Sequence, residues 1–402
     1  MDLATLEALR SPVGVPSHPV IFLGLTVLTW ALHILAVHVV VGGLALSLMG
    51  LLQRGHDHWQ RLSAMLLNHA KVGVSIAIVV GVAPLLFVQV IYDPFWYVSN
   101  VLSARWAMGF IVILLLGYWA LWLHYGQVSR HGGKASPAWL VISLGLLLVV
   151  GFIMHVLSIQ MLSPEKWMSW YAPGGHIDAS GSHIHDFNLV RWGFIVSLAL
   201  PVTAAWLMAC RLYLAGREGG EDAGYLGFLS GTARQLALVG GLISLALFAV
   251  WIMGLDGKQA ELAVSPWTLA VAATVLLLAL FTWKGPEKAG YFMPVVALVM
   301  ALALGALREA LRYAALHGGF GYDFMNYKIV MDWYSTILFF GTFLIVGGIP
   351  LAFMISLSWQ AGRAKGVYTA GPVIAKLGMA SVAVAGLWVV HYFVMGALVL
   401  GR

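Results

Sequence analysis

Charge and cysteine are what this 402-residue chain has least of. Only 9% of its residues are Asp, Glu, Lys or Arg, too few to clothe a water-soluble globule of this length. The single cysteine, Cys210, excludes an internal disulfide, a C-x-x-C redox pair, a C-x-x-C-H covalent haem attachment and a cysteine-ligated cluster. No G-x-x-x-x-G-K-[ST] occurs, so the phosphate loop of a nucleotide-driven pump is missing from this chain.

What is abundant is apolar: 61% of residues are hydrophobic and the mean hydropathy is +0.90. Runs of roughly 20 apolar residues cross about 30 Å of hydrocarbon, where the backbone must satisfy itself and helices follow. Ten such runs are predicted: Pro19–Leu52, Leu66–Tyr92, Leu102–Val128, Pro137–Leu162, Phe187–Gly216, Leu226–Leu255, Pro266–Trp283, Tyr291–Leu316, Ile329–Trp359 and Pro372–Leu400. The first is long enough to require tilt or projection, and no A-x-A-type cleavage motif follows a short apolar core. It is expected to be retained.

Alternate turns carry paired basic residues: Arg54 with Arg61, Arg130 with Lys134, Arg211 with Arg217, Lys284 with Lys288, and Arg363 with Lys365. The positive-inside rule assigns these turns to the cytoplasm, and both termini and the long Ser163–Asp186 connection to the periplasm. The net charge of +6 then reflects membrane topology and gives no reason to expect nucleic acid as a partner.

A repeat is visible. Gly43 precedes Lys71, and Gly348 precedes Lys376, by the same 28 residues, each time across a short basic turn. Pro201 stands to Gly216-Arg217 as Gly347 stands to Gly362-Arg363, with Arg234 at the next helix start. The expected fold is an all-α polytopic transmembrane bundle of about ten spans built on repeated two-helix hairpins. It divides into a first four-helix bundle (1–162), a periplasmic loop (163–186), a second four-helix bundle (187–316) and a C-terminal hairpin (317–402) that repeats the first. Where the first hairpin has His33, nine residues before its glycine pair, the last has Leu338.

Of fourteen histidines, His33, His38, His124, His155 and His391 fall within predicted spans, where an imidazole needs a partner or a metal. In a helical bundle, imidazoles on facing helices hold haem b, so these residues point to such a cofactor. His33 and His38 are about 140° apart around their helix and cannot approach one iron from the same side. His33 and His155 make the preferred metal-ligand pair. His124, near the cytoplasmic edge, reads as a structural histidine, and Met154, Met161, Met325 and Met395 are weaker axial candidates.

Lys71, Arg105, Arg191, Arg234, Lys376 and Asp332 lie at or near helix ends, where long basic side chains reach water at little cost. Arg308-Glu309-x-x-Arg312 differs, because it places Arg308 and Arg312 on one face at i and i+4. That pair suits haem propionates or a quinone head group; the structural alternative is pairing with Glu309 and outer-loop acids. The 163–186 connection contains His176, Asp178, His183, His185 and Asp186, but their spacing matches no metal template and reads as a solvated loop.

The opening 160 residues resemble the cytochrome bd oxidase subunit I superfamily. The likeness rests on His33 before Gly42-Gly43, the Lys71-x-Gly helix start, Gly81-Val-Ala-Pro-Leu-Leu-Phe-Val-Gln-Val-Ile-Tyr, and Trp96-Tyr-x-Ser with Arg105-Trp106. Arg308-Glu309-Ala-Leu-Arg312 through Met325-Asn326 is similar to a segment of the bd-like membrane cytochromes b that work beside c-type cytochromes. The resemblance implies a multi-pass subunit of a bacterial inner-membrane respiratory complex, with His33 as a first-helix haem ligand in the periplasmic half. Two departures stand out: the Gly-Arg-Gln-Pro-Trp segment and long quinol loop of true bd oxidases are missing, and Trp192 stands where the family commonly has a histidine. Loss of one haem site and no terminal oxygen reduction are the expected consequences.

The candidate cofactor-binding set is therefore His33, His38, His155, His391, Arg308, Arg312, Gln89, Arg105 and Lys71. A quinol would meet Gln89, Arg105 or the arginine pair, with Glu309, Asp332 or the loop histidines as proton acceptors. Electrons would pass through haem b to a periplasmic or membrane-anchored c-type cytochrome or another redox subunit. The alternatives are a cofactor-free quinone-binding anchor of the polysulfide-reductase type and a secondary transporter. The repeats run parallel, against the inverted transporter pattern.

Overall fold

A computed structural model describes residues 3–53, 55–131 and 135–400. Arg54 and Lys134, two of the basic turn residues, lie outside the described residues. Among the described residues ten helices are long and apolar enough to cross a membrane. The β-structure described is one isolated bridge between Val15 and Ile329.

The helices in chain order are α1 (Leu3–Ala8), α2 (Pro19–Leu52), α3 (Asp57–Ile91), α4 (Asp93–Leu102), α5 (Ala104–His131), α6 (Ala138–Gln160), α7 (Trp167–Tyr171) and α8 (Leu189–Ser197). They continue with α9 (Ala199–Ala215), α10 (Ala223–Met253), α11 (Pro266–Lys284), α12 (Phe292–Tyr313), α13 (Trp333–Gly341), α14 (Gly348–Arg363) and α15 (Pro372–Leu400). α3 starts at Asp57, well before the apolar run at Leu66, because a carboxylate in the first turn suits the helix dipole and the polar turns stay helical. At about 1.5 Å per residue, α2 and α3 are each roughly 50 Å long.

Local chemistry sets the other boundaries. The Asn188 side chain accepts the Arg191 backbone N–H at 2.8 Å and starts α8. Ser265 does the same for Thr268, with Pro266 at the first helical position of α11. The fifth span breaks between α8 and α9 at Leu198, three residues before Pro201, which has no N–H to offer the preceding turn. α12 and α13 each run on into a π-helical turn, at Ala314–Gly318 and Thr342–Gly347. The ladder is widened there by one residue.

Two compact units emerge. The first comprises Met1–Pro12, Pro19–Leu212 and Gly227–Tyr327, so the two four-helix groups expected from sequence, apart from Tyr213–Leu226, fall within one unit. In it α2 packs on α3, α6 and α12, α5 on α6, and α11 on α12. Ser47 and Ser63 bond each other's carbonyls at 3.1 and 2.9 Å, bracing α2 to α3 without bulk. Gly42 brings α2 against the fifth span: a Cβ there would strike Thr203 Oγ1 and meet the Ala199 carbonyl oxygen at 2.8 Å. Thr203 Oγ1 in turn donates to the His38 carbonyl at 3.2 Å.

The second unit comprises Val13–His18, Tyr213–Leu226 and Lys328–Arg402. α14 packs on α15, and Trp388 Nε1 donates to Thr342 Oγ1 at 2.9 Å across the hairpin. Arg363 Nε donates to the Gly216 carbonyl at 2.9 Å, and the Tyr213 ring meets Trp359 edge-on at 4.8 Å. The most apolar stretches of this unit's two spans contain no buried residue, whereas that of the fifth span is the most buried of the ten.

Gly42→Val is expected to lower stability by about 1–3 kcal/mol through overpacking. Thermal denaturation of the detergent-solubilised protein checks it, with Gly24→Val, whose site has nothing within 4 Å, leaving the midpoint nearly unchanged.

Candidate functional site

The last turns of α12 carry the densest buried charge in the first unit. Glu309 and Arg312 are buried, and Arg312 Nη1 donates to Glu309 Oε2 at 2.5 Å. Arg308 Nε stands 4.0 Å from Glu309 Oε1. A third guanidinium, Arg191 at the start of α8, is buried within electrostatic reach of Arg312 and Glu309. Each arginine lies over an aromatic face: Arg308 over Trp30 at 4.8 Å, Arg312 over Tyr92 at 5.0 Å and Arg191 over Trp251 at 5.5 Å. Stacking on rings stabilises desolvated guanidinium without neutralising it.

Three guanidiniums face one carboxylate. Two positive charges are therefore uncompensated within the cluster, and burying unpaired charge costs on the order of several kcal/mol per ion. Arg191 Nε and Arg308 Nη1 are also buried with no hydrogen-bond partner. The arrangement has the charge and the unused donors to receive a dianion.

His33 is next to this cluster, within electrostatic reach of Arg308. Its Nδ1 bonds the Ala77 carbonyl at 2.9 Å, and a carbonyl only accepts, so Nδ1 carries the proton and Nε2 keeps its lone pair. A second shell of that kind fixes ring and tautomer in a metal-ligating histidine. Gly81 makes the room, since a Cβ there would lie 2.7 Å from ring atoms Cε1 and Nδ1.

The other histidines are engaged differently. His155 Nε2 accepts the Asn188 backbone N–H at 3.1 Å, using the lone pair that a metal would need and capping the approach to α8. His33 lies fourteen residues from Pro19 and His155 five from Gln160, so at about 1.5 Å per residue their depths differ by roughly 14 Å. His38 Nε2 donates to the Ile195 carbonyl at 2.8 Å, just before the break in the fifth span, and its Nδ1 is buried without a partner. His391 belongs to the second unit, where its Nε2 meets the Tyr334 hydroxyl at 3.0 Å. Leu338 lines an open groove of about 390 Å³ there with Phe339, Phe343, Trp388 and Tyr392.

Lys71 sits 3.5 Å from the centroid of Tyr125 and 5.6 Å from that of Trp122, in an aromatic seat of its own. Gln89 Oε1 accepts the Tyr97 hydroxyl at 3.4 Å. The Arg105 side chain is exposed, and its backbone N–H donates to the Gly181 carbonyl at 2.9 Å. Asp332 caps α13, accepting from Ser335 N at 3.0 Å and Ser335 Oγ at 2.5 Å. Those bonds hold its carboxyl below the usual range, which suits a cap and not a proton acceptor at neutral pH.

The histidine-bearing connection is a tied strap. Trp106 Nε1 donates to the Ser182 carbonyl at 2.7 Å, Ser103 Oγ to the His183 carbonyl at 2.7 Å, and His185 N to Gln160 Oε1 at 2.9 Å. His183 Nε2 pairs with Asp178 Oδ2 at 3.3 Å, and His185 stacks on Trp170. Among the described residues no group of three His, Cys, Asp or Glu is arranged to hold a metal. Haem ligation by one or two imidazoles needs no such group.

Sequence reasoning missed two things. Arg191 looked like a basic residue at a helix end, and only the tertiary structure carries it to Glu309. Asp93 was not singled out at all. It is buried, accepts from the Tyr327 hydroxyl and from Ser11 N at 3.0 Å, and lies beside Tyr322, whose hydroxyl is 2.9 Å from that of Tyr327. Burial pushes its carboxyl above the ordinary value despite those bonds. Comparison with protein families, curated proteins and solved structures finds no match to this chain.

Asp332→Ala is expected to cost about 1 kcal/mol, the usual worth of an N-cap. Because the folded carboxyl titrates below its unfolded value, the contribution is full above the ordinary aspartate range and disappears as pH falls through the lowered one. Denaturation of wild type and mutant across that interval checks both statements.

Proposed function

We propose that the first unit is a haem b-binding, quinol-oxidising membrane subunit that passes electrons to a periplasmic or membrane-anchored c-type cytochrome. The observation that carries this reading is the pair of uncompensated buried charges at Arg191, Arg308 and Arg312, beside a histidine whose Nε2 is left open. Haem b has two carboxylate side chains and an iron that binds imidazole, so its chemistry matches both features. His33 Nε2, oriented by Ala77, would hold the iron, and the three arginines would hold the propionates. Bound haem supplies one-electron storage. The resemblance to bd-type cytochromes drawn from the sequence includes the same His33 and Arg308–Arg312 segment.

The remaining residues divide the work physically. Trp30, Tyr92 and Trp251 exclude water from the guanidiniums, which strengthens their hold on an anion. Glu309 keeps Arg312 in place and is the nearest carboxylate to any proton released in the cluster. Gln89 and Arg105, near the ends of α3 and α5 on the side that carries the 163–186 strap, are the quinol head-group contacts of this reading. Placing that side in the periplasm, with both termini, follows from the basic turns.

A reduced-minus-oxidised spectrum of the purified protein is expected to show a b-type α-band, lost in His33→Ala while the chain still folds. Arg191→Gln or Arg308→Gln should weaken haem retention by about ten- to a hundred-fold, the worth of one charge-assisted bond. An unchanged spectrum in His33→Ala overturns the ligand assignment. A colourless wild type that supports quinol oxidation through attached subunits would make the chain a cofactor-free quinone-binding anchor.

A further inference from the structure

Beside the arginine cluster lies a second buried polar group that the redox reading leaves unused. Tyr322 and Tyr327 follow the π-helical turn that ends α12, and both are buried against α4. Tyr327 donates to Asp93 Oδ1, the two tyrosine hydroxyls are 2.9 Å apart, and Tyr322 also reaches the Ile91 carbonyl at 3.3 Å. Arg10 stacks over both rings, at 4.2 Å from Tyr322 and 4.7 Å from Tyr327. Its Nη2 is committed to the Asp323 carbonyl at 2.8 Å and to Glu7 at 3.7 Å. Among the described residues no basic side chain pairs with Asp93.

Tyr92 joins this group to the arginines. Its ring lies under Arg312 and 6.4 Å from the Tyr322 ring, and its hydroxyl is buried with no partner. An unsatisfied buried hydroxyl is costly and needs an explanation, which a transient bond to a substrate or a carried proton provides.

We propose that Tyr322, Tyr327 and Asp93 form a proton relay beside the Glu309–arginine cluster, with Tyr92 between the two and Asp93 as the loading site. The inference rests on the quinol-oxidising reading and extends it. A quinol loses two electrons and two protons in becoming a quinone, the electrons reducing two equivalents of a ferric haem-type acceptor. Each proton enters at the Tyr322 hydroxyl, which is bonded to that of Tyr327. It displaces the proton of Tyr327 onto Asp93 Oδ1, and Asp93 releases it beyond Ser11. Every hydroxyl ends as it began.

The groups facing Asp93 suit this role. Tyr327 and Ser11 N–H favour its ionised form, Arg10 adds distant positive charge, and burial among Phe95, Tyr322 and Tyr327 opposes ionisation and prevails. Burial likewise raises Tyr322 and Tyr327 above their usual value, so their hydroxyls stay protonated and act as conductors, not acids. Asp93 is a relay residue and is not required to touch the quinol.

Infrared difference spectroscopy of the full-length protein, titrated with pH, tests the loading site without reference to haem. A protonated-carboxyl C=O band is expected above the ordinary aspartate range, absent in Asp93→Asn. In Tyr327→Phe the midpoint should move to higher pH, because the bond that favours the carboxylate is gone. Quinol oxidation should fall roughly a hundredfold in Asp93→Asn and lose its pH dependence, with the haem spectrum intact. A band that survives Asp93→Asn, or a midpoint indifferent to Tyr327→Phe, overturns the relay. Retention of the Asp93 titration in a His33→Ala protein that keeps its wild-type spectrum would instead count against the haem ligand alone.

Discussion

The fold is organised around charge that hydrocarbon cannot solvate. One carboxylate, Glu309, is set among Arg191, Arg308 and Arg312, and each guanidinium rests on an aromatic ring. Such a cluster requires the helices that bring it together to be held closely. α2 contributes Trp30, the segment after α3 contributes Tyr92, α8 contributes Arg191, α10 contributes Trp251, and α12 contributes Arg308, Glu309 and Arg312. Close packing of α2, at Gly42 against the fifth span and at Ser47 against Ser63, is what lets these elements converge. Buried polar groups and backbone approach are thus two sides of one constraint.

The same constraint explains where the chemistry is concentrated. The first unit holds the charged cluster, the open imidazole of His33 and the aspartate–tyrosine chain. The second has Leu338 lining an apolar groove, an exposed Tyr334–His391 bond and a capping Asp332.

The spans were legible because a 20-residue apolar run has few alternatives, and Arg308-Glu309-x-x-Arg312 was legible because three charges in five residues are conspicuous in a chain so poor in charge. Boundaries were less so: α3 extends back to Asp57 because polar residues can continue a helix beyond its apolar run. The break before Pro201 and the two π turns depend on tertiary packing. Arg191 and Asp93 were hidden for a different reason. Arg191 joins Glu309 across more than a hundred residues of sequence, and Asp93 meets Tyr327 across a separation of 234. No local pattern announces such meetings. His155 shows the reverse case, an imidazole whose depth and type suggested iron but whose lone pair receives a backbone N–H.

The length of α2 and α3 has a mechanical consequence. Two braced helices of roughly 50 Å exceed a hydrocarbon slab of about 30 Å by two-thirds. The surplus must lean, thicken the surrounding lipid or stand clear of it as a stalk, and each choice carries an elastic cost in the bilayer that depends on its thickness. Lipid chain length therefore becomes a variable to which this protein responds through its longest pair of helices, the pair that also seats His33 against Ala77 and Gly81.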